Sequence, residues 1–111
     1  MAEVSRYFGT VALNSTTEVA VTLDPQFCYH VRHTGLDASG NDDANSALTA
    51  YLSNESGTIT VDLSEEDKKY PLTDGEYTVI GPGIGTLYLD AATGADGILA
   101  FSRIGELTRA F

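Results

Sequence analysis

Short runs of alternating apolar and polar residues, each ended by turn-forming residues, constrain the fold of this chain most strongly. In one such run, Val19, Val21 and Leu23 alternate with polar or small neighbours until Asp24-Pro25 ends the pattern. A period of two is typical of a strand that buries one face. Further runs of this kind lie at 6–13, 27–32, 57–63, 76–79, 86–89 and 98–104. The spacing therefore predicts seven strands, and an eighth if residues 47–53 form a strand rather than one helical turn.

The composition favours the same class of fold. Thirteen Thr, eight Ser and eleven Gly against two Lys suit short strands and turns better than helices. We therefore predict an all-β protein, an antiparallel β-sandwich or small barrel of seven to eight strands that is immunoglobulin-like or jelly-roll-like. At 111 residues the chain is expected to form one domain, 1–111, with 105–111 as a C-terminal tail.

The connections between the strands are predicted from their turn residues. Asn14-Ser15-Thr16 and the glycine-rich stretch Gly81 to Gly85 are interpreted as hairpin turns between neighbouring strands. The segment from Gly35 to Ser46 is polar and has no periodicity, which indicates one long exposed loop. A phosphate-binding role for Gly81 to Gly85 is not favoured, because no helix pattern follows it.

The apolar face of each run predicts the hydrophobic core, because residues two apart in a strand point to the same side. The expected core consists of Val11, Leu13, Val19, Val21, Leu23, Phe27, Tyr29, Val31, Ile59, Val61, Leu63, Tyr77, Val79, Leu87, Leu89, Ile98 and Ile104.

A formal net charge of -10 limits the partners of the protein. Nucleic acid and anionic membranes would be repelled rather than bound. The apolar runs are much shorter than the ~20 residues of a membrane helix, and the start of the chain lacks the apolar core of a signal peptide. We therefore expect synthesis in a cytoplasm, with neither nucleic acid nor membrane as a partner.

Candidate catalytic residues are few. His30 and His33 are three positions apart in a predicted strand, so they are expected to point to opposite faces and are interpreted as surface or rim residues. Cys28 is a single cysteine, either packed in an apolar layer or lightly exposed, and it has no internal disulfide partner. Because nucleophilic catalysis needs a base beside the nucleophile, the chain is predicted not to be an enzyme, and a small hydrolase is the last alternative.

Metal binding is considered only for the acidic loop. One Cys and two His fall short of a zinc site. The calcium candidates are Asp37, Asp42 and Asp43, although this loop lacks the glycine and the final glutamate of an EF-hand. Asp90 and Asp96 flank a second acidic turn. Such loops are usually solvated turns, so we predict no metal and no cofactor.

The aromatic residues point to a binding surface. Six Tyr and four Phe exceed what a small sandwich needs to bury, and interfaces favour aromatic side chains. Tyr7 and Phe8 lie on opposite faces of the first predicted strand, and Phe111 ends the chain. These three residues are the candidates for partner binding. In the alternative interpretation, Phe8 covers the edge of the core and Phe111 belongs to a frayed chain end.

The acidic, cysteine-poor, Thr-, Gly- and Asp-rich chain, with its segment Gly94-Ala95-Asp96-Gly97-Ile98-Leu99-Ala100-Phe101, resembles the small auxiliary virion proteins of tailed bacteriophages. These are the decoration or cement proteins. The resemblance implies a non-enzymatic structural protein that binds the major capsid protein on the outside of the virion and bridges capsomers. It also implies a homo-oligomer, with a trimer expected. The alternative is a carbohydrate-binding β-sandwich module that uses tyrosine rings and loop carboxylates, with calcium assisting.

Overall fold

A computed structural model of the protein describes residues 2–4, 8–14, 18–54, 70–91 and 94–105, with the backbone alone for 2–4. These residues form nine strands and no helix, which confirms the all-β prediction. The strands are β1 (Ala2–Val4), β2 (Phe8–Ala12), β3 (Val19–Leu23), β4 (Cys28–His33), β5 (Ala50–Ser53), β6 (Tyr70–Leu72), β7 (Tyr77–Ile80), β8 (Thr86–Ala91) and β9 (Ile98–Gly105).

The strands form two sheets, ordered β1-β3-β8-β5-β6 and β2-β9-β4-β7. The pairs β2 with β9, β3 with β8, β4 with β7 and β5 with β6 are all antiparallel, so the chain is a nested ladder of strand pairs. This ladder is rolled up, because β4 also pairs with β9 and β5 also pairs with β8. Strands β2 to β9 thus form a jelly roll, and β1 adds to its edge parallel to β3.

The hairpins predicted at Asn14-Ser15-Thr16 and at Gly81 to Gly85 are wrong. β2 and β3 lie in different sheets, and so do β7 and β8. The segments between these strands therefore carry the chain from one sheet to the other. Turn residues indicate that the chain changes direction, but they do not reveal which strand it will pair with afterwards.

Residues 47–53, for which two structures were open, contain the strand β5. Strand β6, which contains Pro71, was not predicted. Proline is tolerated at this position because β6 is an edge strand. The predicted strand at 57–63, with core candidates Ile59, Val61 and Leu63, lies outside the described residues. So do residues 106–111 of the predicted tail, whereas Gly105 belongs to β9.

The core lies between the two sheets. Its buried members that were predicted from the sequence are Val11, Leu13, Val21, Leu23, Tyr29, Val31, Leu87 and Leu89, and Val19 and Phe27 pack against them half-buried. Further buried apolar residues that were not predicted are Cys28, Ala50, Leu52, Leu72, Ala95, Leu99 and Phe101.

The predicted inward faces of β7 and β9 are wrong. Tyr77, Val79 and Ile104 are exposed, and Ile98 is only half-buried. In β9 the side chains that point into the core are Leu99 and Phe101, both fully buried. A shift of one residue exchanges the two faces of a strand, and both strands carry apolar residues on each face. The alternating pattern therefore did not distinguish the inner face from the outer one.

The long loop between β4 and β5 is held by a buried histidine. The Nε2 atom of His33 donates to the carbonyl oxygen of Leu48 at 2.8 Å, and its Nδ1 atom accepts from the Gly35 amide at 3.1 Å. An accepting Nδ1 atom assigns the proton of the neutral ring to Nε2. The interpretation of His33 as a surface residue is wrong, because it is fully buried. The loop is exposed from Ala38 to Asn45 and ends on Ser46, which is buried.

Gly97 allows this loop to approach the start of β9. A Cβ atom at Gly97 would lie 2.5 Å from the backbone oxygen of Ser46 and 3.1 Å from the Cε1 atom of His33. The backbone of Ser46 cannot move away as easily as the end of a flexible side chain could. Position 97 therefore requires glycine, which has no side chain.

We expect Gly97→Ala to lower the free energy of unfolding by about 1–3 kcal/mol, because the added methyl group overpacks the contact with the loop. Gly85→Ala is the matched control, since a Cβ atom there has no neighbour within 4 Å. It should leave stability unchanged or raise it by up to about 1 kcal/mol. Urea unfolding followed by circular dichroism measures both values, and equal stability of the two variants would contradict this packing.

Candidate functional site

The solvent-facing side of the sheet β2-β9-β4-β7, which we call the outer face, is the first candidate site. Its members alternate along each strand with the buried residues of the core. The described side chains on it are Phe8, Thr10, Ala12, Ile98, Ala100, Ser102, His30, Arg32, Tyr77 and Val79.

Two rows of paired residues cross all four strands on the outer face. One row runs through Phe8, Ser102, His30 and Val79, and the next through Thr10, Ala100, Arg32 and Tyr77. Directly paired residues in an antiparallel sheet point to the same side with their Cβ atoms about 4.5–5.5 Å apart. The outer face is therefore one continuous surface rather than a set of separate side chains.

Large apolar side chains project from this surface. Phe8 and Tyr77 are each 63% exposed, and Val79 is 47% exposed. The ring of His30 stacks on that of Tyr77, with 4.7 Å between the ring centroids and 24° between the ring planes. This contact holds the Tyr77 ring against the sheet, so part of the exposed aromatic surface is ordered in advance of any binding.

The charge of the outer face differs from that of the chain as a whole. The chain has 16 Asp and Glu residues, yet no described side chain of the outer face is acidic. Among its described residues the one permanently charged group is Arg32, which is exposed and paired across the strands with Tyr77. An apolar surface without carboxylates is unusual on a protein that is acidic elsewhere, and it marks this face as a candidate for binding.

Of the three predicted partner-binding residues, the structure places Phe8 on the outer face. Tyr7 and Phe111 lie outside the described residues. The sequence reasoning missed Tyr77, Val79 and Ile104 as surface residues because it assigned them to the core. The sequence nevertheless contained a signal for exposed apolar residues. Strands β7 and β9 carry apolar residues on both faces, but in a two-sheet sandwich only one face of each strand can contact the core.

The second candidate site is an acidic cluster at one end of the sandwich. Carboxylate oxygens of Asp37, Asp43 and Asp96 all lie within 4.8 Å of one another. Asp37 and Asp43 were calcium candidates from the sequence, and Asp96 was noted in a separate turn. Asp42, the third calcium candidate, is exposed and does not belong to the cluster.

Local hydrogen bonds position the cluster. Oδ1 of Asp37 accepts from the amides of Ser39 and Asn41, both at 2.9 Å. Oδ1 of Asp43 accepts from the amide of Ser46, also at 2.9 Å. These contacts fold the long loop, which brings two of the carboxylates toward the turn that precedes β9.

The third carboxylate, that of Asp96, is electrostatically strained by this arrangement. Desolvation raises the pKa of Asp96 above its ordinary value, and the nearby charges of Asp43 and Asp37 raise it further. Oxygen ligands of this kind are those that calcium prefers in proteins. A cluster of three exposed or half-exposed carboxylates is also common on acidic surfaces, so the geometry alone assigns no ion.

We expect Asp96→Asn to raise the melting temperature at pH 7 in buffer with a calcium chelator, because it removes one of three repelling charges. A raised native pKa means that ionisation of Asp96 destabilises the fold as pH increases through that pKa. The gain should therefore disappear in acid, where wild-type Asp96 is protonated. Asp42→Asn makes the same change in net charge outside the cluster. Equal thermal shifts in the two variants would show a general charge effect instead.

The two histidines of β4 are separated by the sheet. His30 lies on the outer face against Tyr77, and His33 is buried on the inner face, where its two nitrogens bond Leu48 and Gly35. The two rings therefore cannot act together on one reacting atom.

No model of a known protein family matches the chain, and no curated protein matches its sequence. In the part of the chain that the structure describes, no helix has the length and apolar character needed to cross a bilayer. The function must therefore be argued from the two candidate sites and the fold.

Proposed function

We propose that the chain is a non-enzymatic virion structural protein that decorates or cements the outside of a phage capsid by binding the major capsid protein. The observation that carries this proposal is the outer face, with three large exposed apolar side chains and no acidic group among its described residues.

An exposed apolar surface of this kind costs free energy unless a partner covers it. Burial of apolar area contributes about 25 cal/mol per Å², and it retains its strength in salt. Attachment to a particle that meets changing ionic conditions is better served by such burial than by surface ion pairs of ~0–1 kcal/mol each. The outer face thus has the properties that a durable structural attachment needs.

The fold is compatible with this role. Jelly rolls occur in viral capsid proteins and in lectins, so the architecture narrows the choice without deciding it. The resemblance of the whole chain to phage decoration proteins favours the first of these uses. In this proposal the major capsid protein is the partner, the protein is located on the virion surface, and a homo-oligomer, expected as a trimer, makes the contact.

The proposal requires a major capsid protein encoded in the same genome. We expect the purified protein to sediment with empty shells assembled from that capsid protein, and to remain bound from low salt to 1 M salt. Phe8→Ser should lower its occupancy on the shells, because it removes a large exposed apolar side chain from the outer face. Tyr70→Ser is the matched control, since Tyr70 is a similarly exposed aromatic residue on the other sheet.

Three results would contradict the proposal. The first is the absence of the protein from the shell pellet at any salt concentration. The second is binding that disappears in 1 M salt, which would indicate attachment by charge. The third is equal occupancy for Phe8→Ser and Tyr70→Ser, which would place the contact elsewhere on the molecule.

A carbohydrate-binding module is the second candidate function. It is favoured by the use of jelly rolls in lectins together with the convergence of Asp37, Asp43 and Asp96. This function predicts that calcium raises the melting temperature of the wild-type protein, that Asp43→Asn abolishes the rise, and that an array of glycans retains the protein only with calcium. Binding to capsid shells without any calcium or glycan response would reject it.

A further inference from the structure

The outer face combines apolar surface with one cation among its described residues, and this combination restricts what it can bind. We infer that the outer face recognises a partner surface that is itself apolar and presents a carboxylate to Arg32. This inference rests on the proposed function, in which that surface belongs to the assembled capsid shell, and it adds the chemistry of the contact.

No described residue of the outer face beside Arg32 is acidic. Its neighbours in the same row are Ala100 on one side and Tyr77 on the other, and the adjacent row contributes His30 and Ser102. When an apolar partner covers this surface, water is removed from the guanidinium group. A buried charge without a counter-charge costs several kcal/mol, so a stable complex has to supply an anion at this point. A carboxylate matches the planar fork of arginine in two hydrogen bonds.

Stacking of His30 on Tyr77 orders the aromatic surface beside Arg32. The stacked rings hold Tyr77 in place, and Tyr77 is the direct cross-strand neighbour of Arg32. Tyrosine and arginine are the side chains most enriched where interfaces concentrate their binding energy. The pair therefore forms an ordered part of the outer face. The adjacent row adds apolar surface from Val79 on the same edge strand and from Phe8 on the opposite edge strand.

A second copy of the same face does not supply what Arg32 needs. A symmetric pairing of two outer faces would bring together two surfaces that each carry Arg32 and no described carboxylate. Charge complementarity thus favours a different protein surface as the occupant of the outer face.

The test compares charge variants for binding to the capsid shells. We expect Arg32→Gln to weaken binding at least tenfold, since it leaves the partner carboxylate buried without its counter-charge, and Arg32→Glu to weaken it further. Gln26→Glu is the matched control, because Gln26 is exposed in the turn before β4 and the change lowers net charge by the same one unit as Arg32→Gln. It should bind as the wild type does.

A variant at a second position, Thr10, keeps the test valid if the Arg32 variants fail to fold. Thr10 is exposed in the same row as Arg32, and Thr10→Glu places a carboxylate on the outer face without touching the arginine. We expect it to weaken binding while thermal unfolding stays as in the wild type. Sedimentation velocity of the free wild-type protein and of Thr10→Glu shows whether copies of the chain associate through this face.

The outcomes distinguish a failure of the proposed function from a failure of the inferred contact at Arg32. Wild-type binding with loss in Arg32→Gln and Thr10→Glu supports the inference. Wild-type binding that all the variants retain overturns the inference and leaves the proposed function in place. Self-association that Thr10→Glu abolishes identifies a second copy as the occupant and also overturns the inference. Failure of the wild-type protein to bind shells overturns the proposed function and the inference with it.

Discussion

The pairing of β9 with both β2 and β4 is the contact on which the rest of the structure depends. Through it the last described strand occupies the interior of a four-stranded sheet, next to strands from the first third of the chain. Its inward side chains, Leu99 and Phe101, are fully buried between the sheets, and its outward side chains cross the middle of the outer face. The same strand therefore contributes to the core and to the candidate binding surface. Its start, at Gly97, also contacts the long loop between β4 and β5.

The sequence predicted the strands far better than their partners. Alternation identified β2, β3, β4, β7, β8 and β9, because a strand with one buried face leaves that pattern in the chain itself. Pairing depends on contacts between distant segments, and no local residue encodes that β2 joins β9 rather than β3. The inner face was predicted correctly in β3, where polar or small residues separate the apolar ones. It was wrong in β7, where Val79 and Ile80 are neighbours and only the fold decides which one the core receives.

The candidate sites also combine features that local sequence predicts with features that depend on strand pairing. Asp37 and Asp43 were visible as oxygen ligands in one loop, whereas the contribution of Asp96 depends on the turn before β9 meeting that loop. Phe8 was recognised as a surface candidate because it adjoins Tyr7 in the sequence, and neighbouring residues of a predicted strand point to opposite faces. The outer face as a whole could not be predicted, since it arises when four strands from different parts of the chain align their outward residues. Its lack of carboxylates became apparent only after the strands were placed.

The nested ladder of strand pairs also determines when this protein can fold. During synthesis β2 and β4 are completed early, but the strand that belongs between them is made only after residue 97 has been added. Until then neither strand has its central partner, and the apolar residues of both remain without a closed core. Contacts of such long sequence separation form slowly because loop closure precedes their stabilisation. The jelly roll therefore cannot be completed until almost the whole described chain has been synthesised. Before that point the incomplete chain has unpaired strand edges, which promote aggregation.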